Sequence, residues 1–292
     1  MRFAKILCGT DFSAGSQQAL RVATQLANEH DAELVITHVW WFPPQAHSAE
    51  YVFPPPMFQQ LVDGAQHGLD EAQRDAVAAG VRRVRAVLLH GVPWVEIETL
   101  IEQEGIELCV VGTHGRSGLA RILLGSVAER VVRHASCAVL AVRPHREHLP
   151  FAHVLVPTDF SADACHAADV AAGLVGDSGR LTLLHVFEVP VASTGVPPLP
   201  GFELELDKRA CASLDQEAAR LRQATRAKVT SLSRIGSAGA ETLAAVDDDP
   251  SVDLVVMGSY GRTGITRVLL GSVAEKLVRH ARCPVLVTRL RR

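Results

Sequence analysis

The chain has 292 residues, 48% of them hydrophobic and 21% charged, enough length and apolar content for two domains with cores of their own. With 29 basic against 32 acidic residues the net charge is −3, which argues against nucleic acid or an anionic membrane as a partner. No apolar stretch approaches the roughly 20 residues of a membrane-spanning helix.

Taken in chain order, short β-branched runs predict strands near Ala4–Cys8, Leu34–Val39, Val84–His90, Leu108–Val111 and Val139–Val142. Between them lie helical segments near Ser13–His30, Phe58–Ala79, Val92–Glu104 and Ser126–His134. Ser13 is placed to cap the first helix, with Leu20, Ala23 and Ala27 as its apolar stripe. The same landmarks then return. AKILCGTDFSAGSQQAL, from Ala4, is answered by AHVLVPTDFSADACHAA, from Ala152; ELVITHVW, from Glu33, by RLTLLHVF, from Arg180; IELCVVGTHG, from Ile106, by VDLVVMGSYG, from Val252. Only the third strand of the second half, near Val229–Leu232, reads more weakly. Near-continuous apolar strands alternating with helices predict the α/β class, a parallel sheet covered on both faces and built twice. The expected domains are residues 1–146 and 151–292, joined through PHREHLP, a connector short enough that the halves should pack together.

Each half carries one polar constellation. Its first strand ends in Asp11 or Asp159, and its fourth ends in Gly112 or Gly258. In an open parallel sheet, ligands collect beyond the carboxyl ends of strands where the strand order reverses. The loop after the fourth strand reads G-x-x-G, nine residues, then G-S: Gly112, Gly115, Gly125 and Ser126, repeated as Gly258, Gly261, Gly271 and Ser272. Such glycines permit positive φ and let backbone approach a ligand. The Gly-Ser pair opens a helix whose first N–H groups favour an anion, phosphate above all. Arg116, Arg121, Arg262 and Arg267 lie close in sequence. The competing reading is structural: Ser126 to Glu129 and Ser272 to Glu275 both spell S-x-x-E, a capping box that needs no ligand.

The spacing G-x2-G-x9-G-S with an Asp after the first strand resembles the universal stress protein family in its ATP-binding branch, here as a tandem over nearly the whole chain. That resemblance implies Rossmann-like, HUP-type domains with five parallel strands in the order 3-2-1-4-5. It implies ATP, with Mg2+, as the cofactor. Gly112, Gly115, Gly125 and Ser126 would hold phosphates and ribose, Val127 and Ala128 would lend backbone, Asp11 would lie beside the nucleoside, and Val39 would frame the adenine. The second site would use Asp159, Val186, Gly258, Gly261, Gly271, Ser272 and Val273. The first strand ends CGTD where the second has the more family-like VPTD, so Gly9 is expected to loosen a turn and weaken the first site. The family also implies dimerisation through the last strand, giving an intrachain pseudo-dimer and a homodimer of chains.

Other motifs are set aside. His134 with Cys137, and His280 with Cys283, form H-x-x-C, a zinc pattern outweighed by a buried Cys and a helix-terminal His. His38 and His185 sit within apolar strands, where a hydrogen-bonded core role outweighs catalysis. The aromatic, Pro-rich stretches from Trp40 to Phe58 and from Phe187 to Phe202 read as long loops, self-anchored or docking a partner. Six scattered Cys without CxxC, and an opening unlike a secretory signal, point to the cytoplasm. The functional expectation is an ATP-binding stress-response switch whose partner is an adenine nucleotide. The alternatives are a slow ATPase, which lacks a P-loop and an evident base, and a nucleotide-independent scaffold.

Overall fold

The computed structural model describes residues 2–41, 55–113, 124–143, 151–188, 202–259 and 270–290, and the chain divides into two compact units, Arg2–Pro144 and His145–Arg292. In the first unit the elements are β1 (Lys5–Gly9), α1 (Ala14–His30), β2 (Glu33–Trp40), α2 (Pro55–Ala78), β3 (Arg83–His90), α3 (Pro93–Glu104), β4 (Leu108–Gly112), α4 (Ser126–His134) and β5 (Ala138–Val142). In the second they are β6 (Phe151–Pro157), α5 (Ala162–Leu174), β7 (Val175–Phe187), α6 (Phe202–Leu221), β8 (Lys228–Ile235), α7 (Ala238–Asp248), β9 (Leu254–Gly258), α8 (Ser272–His280) and β10 (Val285–Thr288).

The strands of the first unit run β3-β2-β1-β4-β5 and those of the second β8-β7-β6-β9-β10, every described neighbour within a unit being parallel. Both are the order 3-2-1-4-5. Ile6, Leu7 and Cys8 of β1 and Leu34, Val35 and Ile36 of β2 are all sealed from solvent. Consecutive residues of a strand point to opposite faces, so this burial requires helices on both.

Local chemistry sets the helix ends. Ser13 caps α1 by accepting from Ser16 N–H, and Asp31 closes it in the left-handed region with φ 52°. The buried stripe of α1 is Ala19, Val22, Ala23, Leu26 and Ala27, with Leu20 only half-buried. The expected stripe was thus rotated slightly, because the helix packs the flank that carries Val22 and Leu26.

Two strands differ from expectation. β7 begins at Val175, before Arg180, and shifts register against β6 between Phe151 and His153. Gly179 sits beside this shift, where a Cβ would meet the Ala152 carbonyl oxygen at 2.8 Å. β8, weak as a sequence signal, is eight residues long and pairs with β7 from Arg180↔Lys228 to Phe187↔Ile235. Its polar residues are those of a half-exposed strand, and β7 supplies the ladder. Among the described residues no helix is long and apolar enough to cross a membrane.

Candidate functional site

In this strand order the chain leaves β1 toward β2 on one side and β4 toward β5 on the other, which opens a crevice beyond the carboxyl ends of β1 and β4. The two ends are level, since Gly9 pairs with Val111. Past β1 the chain turns sharply. Asp11 Oδ1 accepts from the Ser13 N–H at 3.1 Å and the Ser13 hydroxyl at 2.6 Å, which fixes the carboxylate at the mouth of the turn. Phe12 takes φ 63°, a conformation that disfavours a bulky residue. Two contacts hold it there. Its N–H donates to Thr10 Oγ1 at 3.0 Å, and its ring lies 4.6 Å from that of His38. His38 in turn places Nδ1 2.7 Å from the Thr10 carbonyl; a carbonyl only accepts, so Nδ1 carries the proton. The second unit repeats this turn, with Phe160 at φ 62°, Thr158 Oγ1 at 3.0 Å and His185 at 4.6 Å.

Beyond β4 the geometry corrects two expectations. Gly112 and Gly258 are absent from the positive-φ residues, so their backbone conformation does not demand glycine. A Cβ on Gly112 would instead stand 2.7 Å from the Gly15 carbonyl oxygen, and one on Gly258 would stand 3.0 Å from Asp163. These glycines let α1 and α5 press against the strand ends. The S-x-x-E reading also fails. The N-cap of α4 is Gly125 and that of α8 is Gly271, so Ser126 and Ser272 are already first-turn residues. Neither helix has a side-chain cap. The Gly125 N–H is tied to the Thr113 carbonyl at 2.8 Å and Gly271 N–H to that of Ser259 at 3.0 Å, which anchors each helix start beside its strand end. The first-turn N–H groups of a helix have no intrahelical acceptor, and with no capping side chain this end attracts an anion.

These parts meet around a cavity of 290 Å³ in the first unit, which Asp11, Val39, Gly112, Gly125, Ser126, Val127 and Ala128 line. In the second unit Asp159, Val186, Gly258, Gly271, Ser272 and Val273 line one of 210 Å³. Gly115, Gly261 and the four loop arginines lie outside the described residues, as do most of the two aromatic and Pro-rich stretches and the connector. Pro93 and Ile97 of α3 also wall the first cavity, and Ala238 and Thr242 of α7 the second. Sequence reading missed them. The signal was present in Gly91 and Gly236, which take φ 144° and 142° and swing the chain from the third strand into the helix that covers the crevice. His38 lines the first cavity as well as bracing the turn.

Among the described residues no group of three or more His, Cys, Asp or Glu is arranged to hold a metal ion. Cys137 is buried and its thiol donates to the Ala138 carbonyl, while the His134 ring packs 5.2 Å from Trp94.

The universal stress protein family matches residues 2–143 and again 150–289. A universal stress protein of Methanocaldococcus jannaschii is 36% identical over 146 residues, half of this chain and 85% of that protein. One from Mycobacterium tuberculosis is 29% identical over 303 residues, covering 97% of this chain and 96% of its own. The crystal structure of a universal stress protein from Archaeoglobus fulgidus superposes with a TM-score of 0.68 at 22% identity over 98% of both chains, a likeness of fold. The chain belongs to the universal stress protein family, as a tandem of two such domains.

Proposed function

We propose that this universal stress protein binds ATP in each unit and that nucleotide occupancy switches its engagement of a partner in the stress response. One arrangement, present twice, carries the reading: a strand-end Asp, a strand-end Gly and a helix N-terminus without a side-chain cap line the same cavity. An uncapped helix start selects for an anion, the apolar walls from Val39 and Ile97, or Val186 and Met257, suit a base, and the carboxylate suits sugar hydroxyls.

In this reading Asp11 and Val39 flank the nucleoside, while Gly112, Gly115, Gly125 and Ser126 hold ribose and phosphates with backbone from Val127 and Ala128. Asp159, Val186, Gly258, Gly261, Gly271, Ser272 and Val273 do the same in the second unit. Each of these sets offers a single carboxylate. That fits Mg2+ carried largely by the phosphates rather than by a protein cage.

The test is to denature freshly purified protein and identify and count the nucleotide released, then to titrate nucleotide-free protein with Mg-ATP. Two ATP per chain are expected, and Gly115→Glu and Gly261→Glu should each remove one. Protein that releases no nucleotide and fails to bind Mg-ATP at millimolar concentration would refute the proposal.

A further inference from the structure

The two cavities differ at the residue that follows the strand-end glycine. In the first unit this is Thr113, whose hydroxyl donates to the Val142 carbonyl of β5 at 3.2 Å. In the second it is Ser259, whose N–H reaches the corresponding carbonyl, that of Thr288, at 3.0 Å. The Ser259 hydroxyl does not follow. Among the described residues its Oγ is sealed from water and has no hydrogen-bond partner, although the residue is only 1% exposed. Ser259 also lines the second cavity, while Thr113 does not line the first.

A buried hydroxyl without a partner is unfavourable and rare enough in native proteins to need a reason. Ser259 sits where a ligand's anionic end is expected, because its carbonyl accepts the N–H of Gly271, the residue that caps α8. Side-chain chemistry explains why only this unit has the spare donor. Threonine is β-branched and its χ1 is restricted, which holds the hydroxyl on the strand carbonyl; serine lacks the methyl group and turns at little cost.

We infer that Ser259 is a ligand-positioning residue peculiar to the second site, its hydroxyl turning to donate to a phosphate oxygen of the bound nucleotide. The two sites of one chain are therefore unequal, with the second the tighter. This rests on the nucleotide-binding reading above.

The experiment is calorimetric titration of nucleotide-free, full-length protein with Mg-ATP, for the wild type, Ser259→Ala, Ser259→Thr and Thr113→Ser, with circular dichroism to verify folding. A hydrogen bond to a charged group is worth roughly a tenfold or greater change in affinity. The wild type should show two classes of site. Ser259→Ala should weaken the tighter class about tenfold and leave the other alone. Ser259→Thr should do the same, because threonine surrenders its hydroxyl to the Thr288 carbonyl. Thr113→Ser should tighten the weaker class. Wild-type affinities at both sites in the two Ser259 variants, or both positions acting on one class, would overturn the inference alone. No binding of ATP to the wild type would overturn the nucleotide reading and this inference with it.

Discussion

Replacing Gly112 by alanine separates two roles that a strand-end glycine can have. If glycine is needed so that a ligand can approach, the added methyl leaves the empty protein intact and blocks binding. The geometry assigns a different first effect. The new Cβ would lie 2.7 Å from the Gly15 carbonyl oxygen, 2.8 Å from its carbon and 3.0 Å from Ser16 N. All three are backbone atoms in the first turn of α1, so no side chain can swing aside. The helix must withdraw by roughly half an ångström to restore ordinary contact, and strain of that kind destabilises by about 1–3 kcal/mol. For a unit of this size each kcal/mol lowers the unfolding temperature by about 3 °C, so a fall of about 3–9 °C is expected. Gly258→Ala is the internal comparison. Its closest contacts are 3.0 Å, and it should lose less. Thermal unfolding of nucleotide-free protein by calorimetry reads both. An unchanged unfolding temperature for Gly112→Ala, together with lost ATP binding, would refute the packing argument and return this glycine to the ligand.

Two further outcomes follow from buried titratable groups. His153 bonds Ser251 Oγ and Thr182 Oγ1, each at 2.8 Å, and burial pushes its pKa below the ordinary 6.5 although the Asp249 carboxylate pulls the other way. Below about pH 6.5 the unfolded chain therefore takes up a proton that folded His153 resists, and this one group lowers stability by at most about 1.4 kcal/mol per pH unit as the pH falls. Urea denaturation between pH 7.5 and 5.5 should show this slope, shallower in His153→Gln but not abolished, since burial depresses His30 likewise; an unchanged slope in the variant would reject the assignment. Among the thiols, Cys211 is exposed, Cys8 is pushed up to about 12 by burial, and Cys109 lies well above the ordinary thiol range. Maleimide labelling of native protein read by peptide mass spectrometry should find Cys211 first and Cys165 more slowly, with Cys8, Cys109, Cys137 and Cys283 modified only after denaturation. Rapid labelling at any of those four would contradict the packed strands.

Much of the fold is legible because parallel strands buried on both faces announce themselves as unbroken apolar runs, and a second copy in one chain fixes where each run belongs. The site is partly legible for the same reason: an Asp or Gly that stops an apolar run marks a strand end. What the sequence conceals are contacts between distant elements. Nothing local says that Gly112 faces Gly15, so the glycine reads as conformational freedom when its φ is not positive and its missing Cβ is what admits α1. Nor does local preference allow Phe12 to take φ 63°; the hydrogen bond from its N–H to Thr10 Oγ1 and the ring of His38 overrule it. The S-x-x-E pattern is a local signal that tertiary structure displaces by one residue, since the bond from Gly125 N–H to Thr113 makes that glycine the cap. Gly9 is a related case. It ends β1 rather than forming a turn, and a Cβ there would meet Ile97 Cδ1 at an ordinary 3.4 Å, so neither strain nor crowding explains it.

The glycine that admits α1 to the end of β4 also shapes the crevice. Pressing Gly15 and Ser16 against Gly112 brings the Thr10–Ser16 turn, with its fixed Asp11 carboxylate, over the gap between β1 and β4. Thr10 Oγ1 and the Asp11 N–H both contact Ser16 Oγ, so the helix start, the strand end and the acid form one connected unit. A change that backs the helix away would shift Asp11 relative to the start of α4 on the opposite wall. Packing and ligand geometry are therefore properties of one contact here, and variants along it should lose stability and nucleotide affinity in parallel. Ser259 stands outside that contact. In its own unit its N–H bonds the Thr288 carbonyl and its carbonyl accepts from Gly271 N–H, while among the described residues its hydroxyl makes no hydrogen bond. Ser259→Ala, which removes a buried hydroxyl that lacks a partner, should therefore cost nucleotide affinity without costing stability.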